Sequence, residues 1–513
     1  MSNSNKNILR GVILFSYVLV IALVIYGVAA IFSYLNTGAD RSTMLHTEVE
    51  QIDQYLPQLQ WSPLRNEGRP MDTENLKAIE EDYLDAWYVK HVAFMTNSMT
   101  GIDDFYTESA RENIRNVISI NSESNTVIEA TTLAHHPTLE FFSEDGQIAV
   151  LTDHDVIEFK RIFTGEKLVA EVNEKSTYKV TLLLEDGFWR IRHLVRVKSE
   201  PYIPSASTIS FNPEEIKGIN YYPQATPWNM YGDNFDRTII AEDFQVISDA
   251  QLNSIRVFVP YEDFGKSTVS EEKLDKLIQV LDVADSKGLK VLITLFDFYG
   301  DYSVLDWTLT QRHASTIINT LKTHNALLGW DIKNEPDLDF ENRGKELVTA
   351  WLNKMITLVK SQDPDHPVTI GWSNAESAAI LNEQLDFVSF HYYEKVEDLN
   401  ERYTSLKSKV KNKPVVITEY GMSSYSGIWN PFGNSEEDQA EYHKAMQSIF
   451  SENDLPFMSW TLYDFSEIPK EVVGRLPWRQ NAQKHFGFIN EEGVKKPSFK
   501  HISTTEQPPS SHY

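Results

Sequence analysis

Beyond about residue 70, the spacing of apolar residues changes twice along the chain. The first pattern is helical, because one apolar face recurs every three to four residues in Leu76, Ile79, Tyr83, Leu84 and Trp87. A second helix is predicted over Thr107–Val117. Strand-like runs rich in β-branched and aromatic residues follow. They are Thr138–Ser143, Gln147–Thr152, Val156–Phe163, Tyr178–Leu184 and Phe188–Val197.

Two short turn signals indicate that these strands pair in an antiparallel sheet. Asp145-Gly146 and Asp186-Gly187 each separate two predicted strands, and Asp-Gly favours a two-residue hairpin. Helices followed by an antiparallel sheet predict an α+β domain over residues 71–200. Its element order and the closing Asp-Gly-Phe-Trp-Arg-Ile hairpin resemble the NTF2-like fold. A structural or docking module is the favoured interpretation. His135-His136 is interpreted as a surface pair, since adjacent strand residues point to opposite faces and would bind a metal poorly.

Strands and amphipathic helices alternate after a linker predicted over residues 201–213. Eight short apolar runs within about 290 residues predict a (β/α)8 barrel over residues 214–503, in an α/β chain. The predicted barrel strands are Ile216–Tyr221, Ser254–Val259, Lys290–Leu295, Leu327–Ile332, Val368–Trp372, Phe387–Phe390, Val415–Thr418 and Phe457–Thr461. Residues 504–513 are predicted to be a disordered tail.

The N-terminal part has a pattern of its own. No charged residue occurs between Gly11 and Gly38, which predicts a transmembrane signal-anchor helix over residues 11–37. Lys6 and Arg10 precede this run, so the positive-inside rule places residues 1–10 in the cytoplasm and the remainder in the periplasm or outside the cell. Residues 38–70 then form a stalk. A cleaved signal peptide is the alternative, although its apolar core is ordinarily shorter.

Charge and cysteine content exclude several classes of protein. The formal net charge of -27 argues against a nucleic-acid partner, because phosphates attract basic surfaces. The chain contains no cysteine, which excludes disulfides, thiolate metal sites and a cysteine nucleophile. Asp337 and Asp339 lack the spacing of a calcium loop. We therefore expect neither a metal nor another cofactor.

Two carboxylates stand where predicted barrel strands end. Glu335 follows Leu327–Ile332 and precedes Pro336, and Glu419 follows Val415–Thr418. Active sites of such barrels collect at the carboxyl ends of the strands, and glycoside hydrolysis uses a pair of carboxyl groups. Buried polar groups cost free energy unless they are paired. Further polar and aromatic side chains near strand ends are Tyr222, Trp228, Arg256, Asp297, Asn334, His391, Tyr393 and Trp460.

The strand-end residues named above, taken in their order along the chain with the motifs in which they occur, resemble the retaining glycoside hydrolases of the large (β/α)8-barrel clan, and among them the cellulase-like family 5. The resemblance covers about Glu215 to Lys500. A histidine common near the end of the third strand in that family is replaced here by Leu295-Phe-Asp-Phe-Tyr299, which leaves the sugar open. The motifs that carry the resemblance are Asn253-x-x-Arg256, Trp330-Asp-x-x-Asn334-Glu335-Pro336, His391-x-Tyr393, Ile417-Thr-Glu419-Tyr-Gly421 and Trp460.

The resemblance implies a role for each matching residue. Glu335 would be the general acid/base and Glu419 the nucleophile. Arg256 and Tyr393 would bind Glu419, and His391 would contact the substrate or orient Glu335. Asn334 would bind the sugar 2-hydroxyl, and Trp460 would form the floor of the cleft. Trp228, Tyr222 and Asp297 are additional candidates for substrate contacts.

The predicted function is therefore a membrane-anchored retaining glycoside hydrolase that cleaves β-glycosidic bonds in a β-glucan or β-mannan type of polysaccharide or oligosaccharide. A transglycosylase acting on the same bonds and a non-catalytic glycan-binding or scaffold protein are the alternatives. The expected partners are the carbohydrate, the membrane through the N-terminal helix, and a possible docking partner of the 71–200 domain.

Overall fold

A computed structural model describes residues 17, 19–21, 23–28, 57–202, 209, 211–213, 215–411, 413–427, 430–474 and 476–503. Among these residues, no helix combines the length and the apolar character that a membrane crossing requires. Most of the predicted span at 11–37, residues 38–56 of the predicted stalk at 38–70, much of the linker and the tail at 504–513 lie outside the described residues. Residues 57–70 do not form a stalk, because they contain two short strands that pair with the sheet of the α+β domain.

The first folded unit combines three helices with a sheet of four long antiparallel strands, which two short strands join in parallel. Helix α1 begins after an Asp72 cap, whose side chain accepts a hydrogen bond from the Asn75 amide at 2.9 Å. The apolar face predicted for this helix is buried, with Ile79, Tyr83 and Trp87 fully inaccessible. The helices are α1 (Thr73–Thr96), α2 (Ile102–Phe105) and α3 (Glu108–Glu123). The strands are β1 (Gln58–Leu59), β2 (Glu67–Gly68), β3 (Thr126–Phe142), β4 (Ile148–Thr164), β5 (Lys167–Glu185) and β6 (Phe188–Pro201).

The strands of this sheet are longer than the sequence pattern predicts. The two runs Gln147–Thr152 and Val156–Phe163 form one strand, β4, with an irregularity between Asp153 and Val156. The polar residues between the runs stay in the strand because Asp153 is buried and satisfied. Its carboxylate accepts hydrogen bonds from the Tyr83 hydroxyl at 2.7 Å and the His136 amide at 2.9 Å.

The interpretation of His135-His136 as a surface pair is wrong for His135. Its ring is fully buried, with Nδ1 at 2.6 Å from Asp153 Oδ2 and Nε2 at 2.9 Å from Thr132 Oγ1. His136 is the half-buried member of the pair. Since Asp153 lies on the neighbouring strand, only strand pairing could reveal this partner.

The second body is a closed barrel of eight parallel strands, which confirms the predicted (β/α)8 fold. Neighbouring strands follow one another around the ring, and β14 closes it on β7. Each predicted run overlaps one strand. They are β7 (Lys217–Asn220), β8 (Ser254–Pro260), β9 (Lys290–Asp297), β10 (Leu327–Asn334), β11 (Val368–Trp372), β12 (Val388–Tyr392), β13 (Val415–Tyr420) and β14 (Phe457–Ser459).

Helices surround the barrel and cover its strands, which are buried on both faces as parallel strands usually are. Helices of 4 to 18 residues connect the strands. They are α4 (Arg237–Asp249), α5 (Glu271–Ser286), α6 (Trp307–Leu321), α7 (Phe340–Arg343), α8 (Lys345–Gln362), α9 (Leu399–Val410), α10 (Glu436–Glu452), α11 (Lys470–Val473) and α12 (Pro477–Lys484).

The α+β domain contacts the barrel through the outer face of its sheet. The ring of Phe159 on β4 lies 4.2 Å from the ring of Trp307, the first residue of α6. Phe159 and Leu133 belong to the same apolar cluster as the barrel core. Because side chains alternate along a strand, Glu158 faces the opposite side, into the α+β domain.

Candidate active site

Most of the predicted site residues line one cleft at the carboxyl ends of the barrel strands. Its volume is about 270 Å³. Arg256 and His391 lie behind its wall, both buried. The predicted site residues that line the cleft are Tyr222, Trp228, Asp297, Asn334, Glu335, Tyr393, Glu419 and Trp460.

Glu335 occupies a strained position immediately after β10. Its backbone adopts the left-handed conformation, with φ 46 and ψ 53, before Pro336 starts a short 3-10 turn. Its amide donates a hydrogen bond to the Gly371 carbonyl at 2.7 Å, which fixes the bend. Unusual backbone conformations of this kind cost of order 1–3 kcal/mol and concentrate at functional sites. The bend turns the carboxylate toward the barrel axis, where His391 Nδ1 lies 2.9 Å from Glu335 Oε1.

Glu419 contacts a buried cation, the guanidinium of Arg256. Arg256 Nη1 donates to Glu419 Oε1 at 2.5 Å, and the Tyr393 hydroxyl donates to Oε2 at 2.9 Å. His391 Nδ1 lies 3.5 Å from the same Oε2. Glu335, His391 and Glu419 each place one oxygen or nitrogen atom within 4.8 Å of the other two. The strand ends thus bring the two acids face to face.

The guanidinium of Arg256 organises the floor beneath the two acids. Two of its nitrogens donate to Asp331 Oδ2, at 3.0 and 2.6 Å, and two more contacts reach Asn220 Oδ1 at 3.1 Å and Asn334 Oδ1 at 3.0 Å. Burial opposes the charged form, but the Asp331 and Glu419 carboxylates more than offset it and raise the pKa of Arg256. A permanent positive charge therefore lies beside Glu419.

Gly371 on β11 makes room for this arrangement. A Cβ atom at that position would lie 2.6 Å from Arg256 Nη2, 3.1 Å from Asp331 Oδ2 and 3.2 Å from His391 Nε2. The Gly371 amide also donates to Asp331 Oδ1 at 2.8 Å. The absent side chain thus allows three polar groups to approach one another within the barrel.

Aromatic rings form one wall of the cleft. Trp228 lies 5.2 Å from the ring of Tyr222 and 6.0 Å from that of Trp460. Burial and the neighbouring Asp297 carboxylate raise the pKa of Tyr222, so its hydroxyl remains protonated. That hydroxyl lies 3.4 Å from Asp297 Oδ2. Flat apolar faces beside carboxylates suit a sugar ring, which has apolar faces and hydroxyl edges.

Several residues of the site were not predicted from the sequence. Asp331 and Thr294 complete the Arg256 network, with Thr294 Oγ1 at 2.8 Å from Asp331 Oδ2. A buried arginine requires a carboxylate partner, so Asp331 on the strand two places away was a candidate that this rule could have identified. The unpredicted residues that line the cleft are Phe258, Phe298, Val472, Val473, Gln483 and Phe486. Phe258 and Phe298 lie at strand ends, and the other four belong to the segment that follows β14.

The Glu335, His391 and Glu419 cluster also has the spacing of a possible metal site. The electrostatics favour a different use. Arg256 already contacts Glu419, and a divalent cation beside a buried guanidinium would be repelled. Both carboxylates are instead close to His391 Nδ1, at 2.9 Å from Glu335 and 3.5 Å from Glu419.

Comparisons with known proteins agree with this geometry. Residues 212–466 match the family model Cellulase (glycosyl hydrolase family 5). The putative mannan endo-1,4-beta-mannosidase 4 of Arabidopsis thaliana is 25% identical over 243 residues, covering 38% of this chain and 56% of the relative. The beta-glucuronidase of Rattus norvegicus is 24% identical over 331 residues, covering 58% of this chain and 46% of the relative.

The chain thus spans about half the length of the curated relatives it matches. Among solved structures, the exo-beta-1,4-mannosidase Op5Man5 from Opitutaceae bacterium strain TAV5 is similar with a TM-score of 0.45 and 17% identity. That similarity covers 56% of this chain and 58% of the other.

Proposed function

Because the barrel of this chain is a glycosyl hydrolase family 5 domain, we propose that the protein is a retaining glycosidase that cleaves β-glycosidic bonds of a neutral polysaccharide. The mannan-type relatives make a β-1,4-mannan the first substrate to test, with a β-glucan as the second. Glu335 acts as general acid/base and Glu419 as nucleophile.

The observation that carries this proposal is the separation of the two carboxylates. Their nearest oxygens lie within 4.8 Å. Retaining glycosidases hold their carboxyl groups about 5–5.5 Å apart, whereas inverting enzymes need roughly 6.5–9.5 Å to admit a water molecule between carboxylate and sugar. The closer spacing supports direct attack by Glu419.

The charges of the cleft support a neutral substrate. Every described residue that lines it is uncharged or acidic. A uronic acid carries a carboxylate, and such groups are ordinarily bound by arginine or lysine. Asp297, Glu335 and Glu419 would repel it, whereas they can accept hydrogen bonds from sugar hydroxyls. A glucuronide is therefore a poor candidate, despite the similarity to beta-glucuronidases.

The contacts define the proposed reaction. A Glu419 oxygen attacks the anomeric carbon while the bond to the leaving oxygen breaks, and that oxygen takes the proton of Glu335. Arg256 and Tyr393 donate hydrogen bonds to Glu419 and orient it for this attack. In the second step Glu335 takes a proton from water, the resulting hydroxide attacks the same carbon, and the bonding electrons return to Glu419. His391 positions Glu335 for both proton transfers.

Replacement of the nucleophile tests the proposal directly. We expect Glu419→Ala to lose hydrolysis of β-mannan, and added azide to restore turnover of an aryl glycoside with an inverted glycosyl azide product. Glu401→Ala, on the exposed face of α9, is the matched control and should keep wild-type activity. A fully active Glu419→Ala variant would falsify the assignment.

The same active site could pass the glycosyl group to a sugar instead of to water. Mass spectrometry of the products at high acceptor concentration separates the two outcomes, because a transglycosylase accumulates longer oligosaccharides. Binding of glycans without any turnover across a panel of neutral polysaccharides would instead favour a scaffold role.

We also propose that the catalytic barrel is held outside the cytoplasmic membrane by the apolar segment 11–37. The support is its sequence, uncharged from Gly11 to Gly38 with Lys6 and Arg10 before it. The anchored protein should stay in the membrane pellet after carbonate extraction and should be digested by protease added to the outer face. Release into the supernatant with a new N-terminus near Ile31 would indicate cleavage instead.

A further inference from the structure

The α+β domain contains a cavity of about 330 Å³ that is separate from the catalytic cleft. It lies between α1, α3 and the concave face of the sheet. Its walls are mainly apolar, and Asn113 and Arg196 stand at the exposed rim. A volume of this size is at the lower end of the range for small-molecule sites, roughly 300–1,000 Å³. The apolar residues of its walls are Phe94, Ala110, Ile114, Val117, Ile128, Ala130 and Leu194.

Lys90 lines this apolar space. Lys90 on α1 is 9% exposed, and its ammonium nitrogen lies 3.2 Å from the centre of the Trp87 ring. It donates no hydrogen bond to any residue within the described part of the chain. The Trp87 ring and, at longer range, the Glu158 carboxylate favour the charged form of Lys90, but no carboxylate among the described residues contacts it directly. Burying an ammonium without such a contact is costly, so this group requires a reason to be retained.

The other charged groups of the cavity compensate one another. Lys160 contacts Glu158 at 3.0 Å and Glu174 at 2.7 Å, and Arg196 contacts Glu174 at 2.9 Å. The Tyr178 hydroxyl donates to Glu158 at 2.5 Å. Two acids and two bases therefore form a closed network. Lys90 is the positive charge of the cavity lining that no carboxylate among the described residues contacts directly.

We propose that this cavity binds a small carboxylate with an apolar body, such as a medium-chain fatty acid or an aromatic acid. The carboxylate would accept hydrogen bonds from Lys90, and the chain or ring would fill the space between α1, α3 and β3. The ligand supplies the one negative charge that the cavity lacks. This site is independent of the glycosidase activity proposed for the barrel.

The pH dependence of binding follows from the groups that face Lys90. Burial lowers the pKa of Lys90 to about 7, opposed by Glu158 and assisted by Lys160 and Arg196. Tyr178, on the facing strand β5, remains protonated because burial and Glu158 raise its pKa. Burial also lowers the pKa of the neighbouring His91, which stays neutral. A carboxylate selects the protonated Lys90, so its affinity should fall as the pH rises from 7 to 9.

Calorimetry with octanoate, below its micelle concentration, tests the proposal on the full chain. We expect saturable binding at pH 7, weakened by about 10-fold or more in Lys90→Met, because a hydrogen bond to a charged group is lost. The matched control is Lys77→Met. Lys77 lies on the same helix with its side chain 77% exposed, and this variant should bind octanoate as wild type does. Octanol lacks the charge. Its affinity for the wild-type chain should therefore be no higher than the affinity of octanoate for Lys90→Met.

A second variant keeps the test decisive if Lys90→Met fails to fold. Ala110→Leu places extra carbon atoms in the cavity without removing a charge, and it should abolish octanoate binding. Equal binding of octanoate and octanol, or octanoate affinity unchanged in both variants, would overturn the proposal. So would the absence of octanoate binding to the wild-type chain.

Discussion

Arg256 Nη1 lies 2.5 Å from Glu419 Oε1, and neither side chain is more than 8% exposed. The pair joins β8 to β13 across the barrel, and Asp331 on β10 holds the other side of the same guanidinium. Two carboxylates thus share one cation. Of the two, only Glu419 lines the cleft. Glu419 therefore faces the cleft with its cation behind it, as the proposed attack on the sugar requires.

Removal of this cation should cost stability as well as activity. Arg256→Met leaves Asp331 and Glu419 buried without their partner, and breaking a buried pair in this way costs about 3–5 kcal/mol. We expect a lower midpoint of urea unfolding, followed by tryptophan fluorescence. Arg402→Met removes an exposed pair with Glu394 and should shift the midpoint little. An unchanged midpoint in Arg256→Met would show that Arg256 does not compensate the buried charges of Asp331 and Glu419.

The hydroxyl of Tyr393 should matter for rate more than for stability. Burial, together with the Glu419 and Glu335 carboxylates, raises the pKa of Tyr393, so it remains a donor to Glu419. Tyr393→Phe should lower kcat/KM by about 10- to 100-fold, the value of a hydrogen bond to a charged group. Tyr403→Phe on α9 removes a hydroxyl outside the cleft and is the control. A loss of thermal stability parallel to the loss of rate would indicate a structural role instead.

The role of Glu335 should be visible in how the rate loss of a Glu335 variant depends on the leaving group of the substrate. Glu335→Gln cannot donate a proton, and general acid catalysis contributes about 10²–10⁴-fold. We expect a loss of that size in kcat for β-mannan and a smaller loss for aryl glycosides whose leaving group needs no proton. Glu376→Gln, exposed at the same end of the barrel, is the control. Equal losses on both substrates would speak against the acid/base role.

The barrel could be predicted because its strands are short, apolar and buried on both faces. Each run of this kind overlaps an observed strand, and the polar residues at their ends identify one edge of the barrel. Glu335 is an example, since Pro336 marks the end of its strand. The strand bounds of the α+β sheet were harder to predict, because the polar run around Asp153 interrupts the apolar pattern. Hydrogen bonds to residues distant in the sequence keep that run within β4.

The cleft was only partly predictable for a related reason. Functional residues at strand ends can be recognised in the sequence by their side-chain chemistry, as Glu419 and Tyr393 can. Val472 and Gln483 reach the cleft from the segment after β14 and not from the end of a barrel strand. The position of such a segment depends on its packing against the finished barrel. Gly371 was overlooked because its function is to leave space, which only three-dimensional contacts reveal.

Trp460 should contribute to substrate binding more than to the chemical step. Its ring faces the cleft beside Trp228, and an aromatic contact is worth about 0.5–1.5 kcal/mol beyond its buried area. Trp460→Ala should therefore raise KM for β-mannan by at least about 3-fold, whereas Trp460→Phe should recover part of the affinity. Phe432→Ala removes a 97% exposed ring outside the cleft and is the matched control. A drop in kcat with unchanged KM would contradict a role in the floor.

Lys90 should make the stability of the α+β domain depend on pH. Burial lowers the pKa of Lys90 from 10.5 to about 7, so between these values the unfolded chain binds more protons than the folded one. Stability contributed by this group must then rise with pH across that window, by at most about 1.4 kcal/mol per pH unit, and level off above the unfolded pKa. Hydrogen exchange of the α1 amides, corrected for intrinsic rates, measures the local opening free energy. The difference between wild type and Lys90→Met should grow in favour of wild type from pH 7 to 10, whereas Lys77→Met should follow wild type. A difference independent of pH would show that Lys90 has the same pKa in both states.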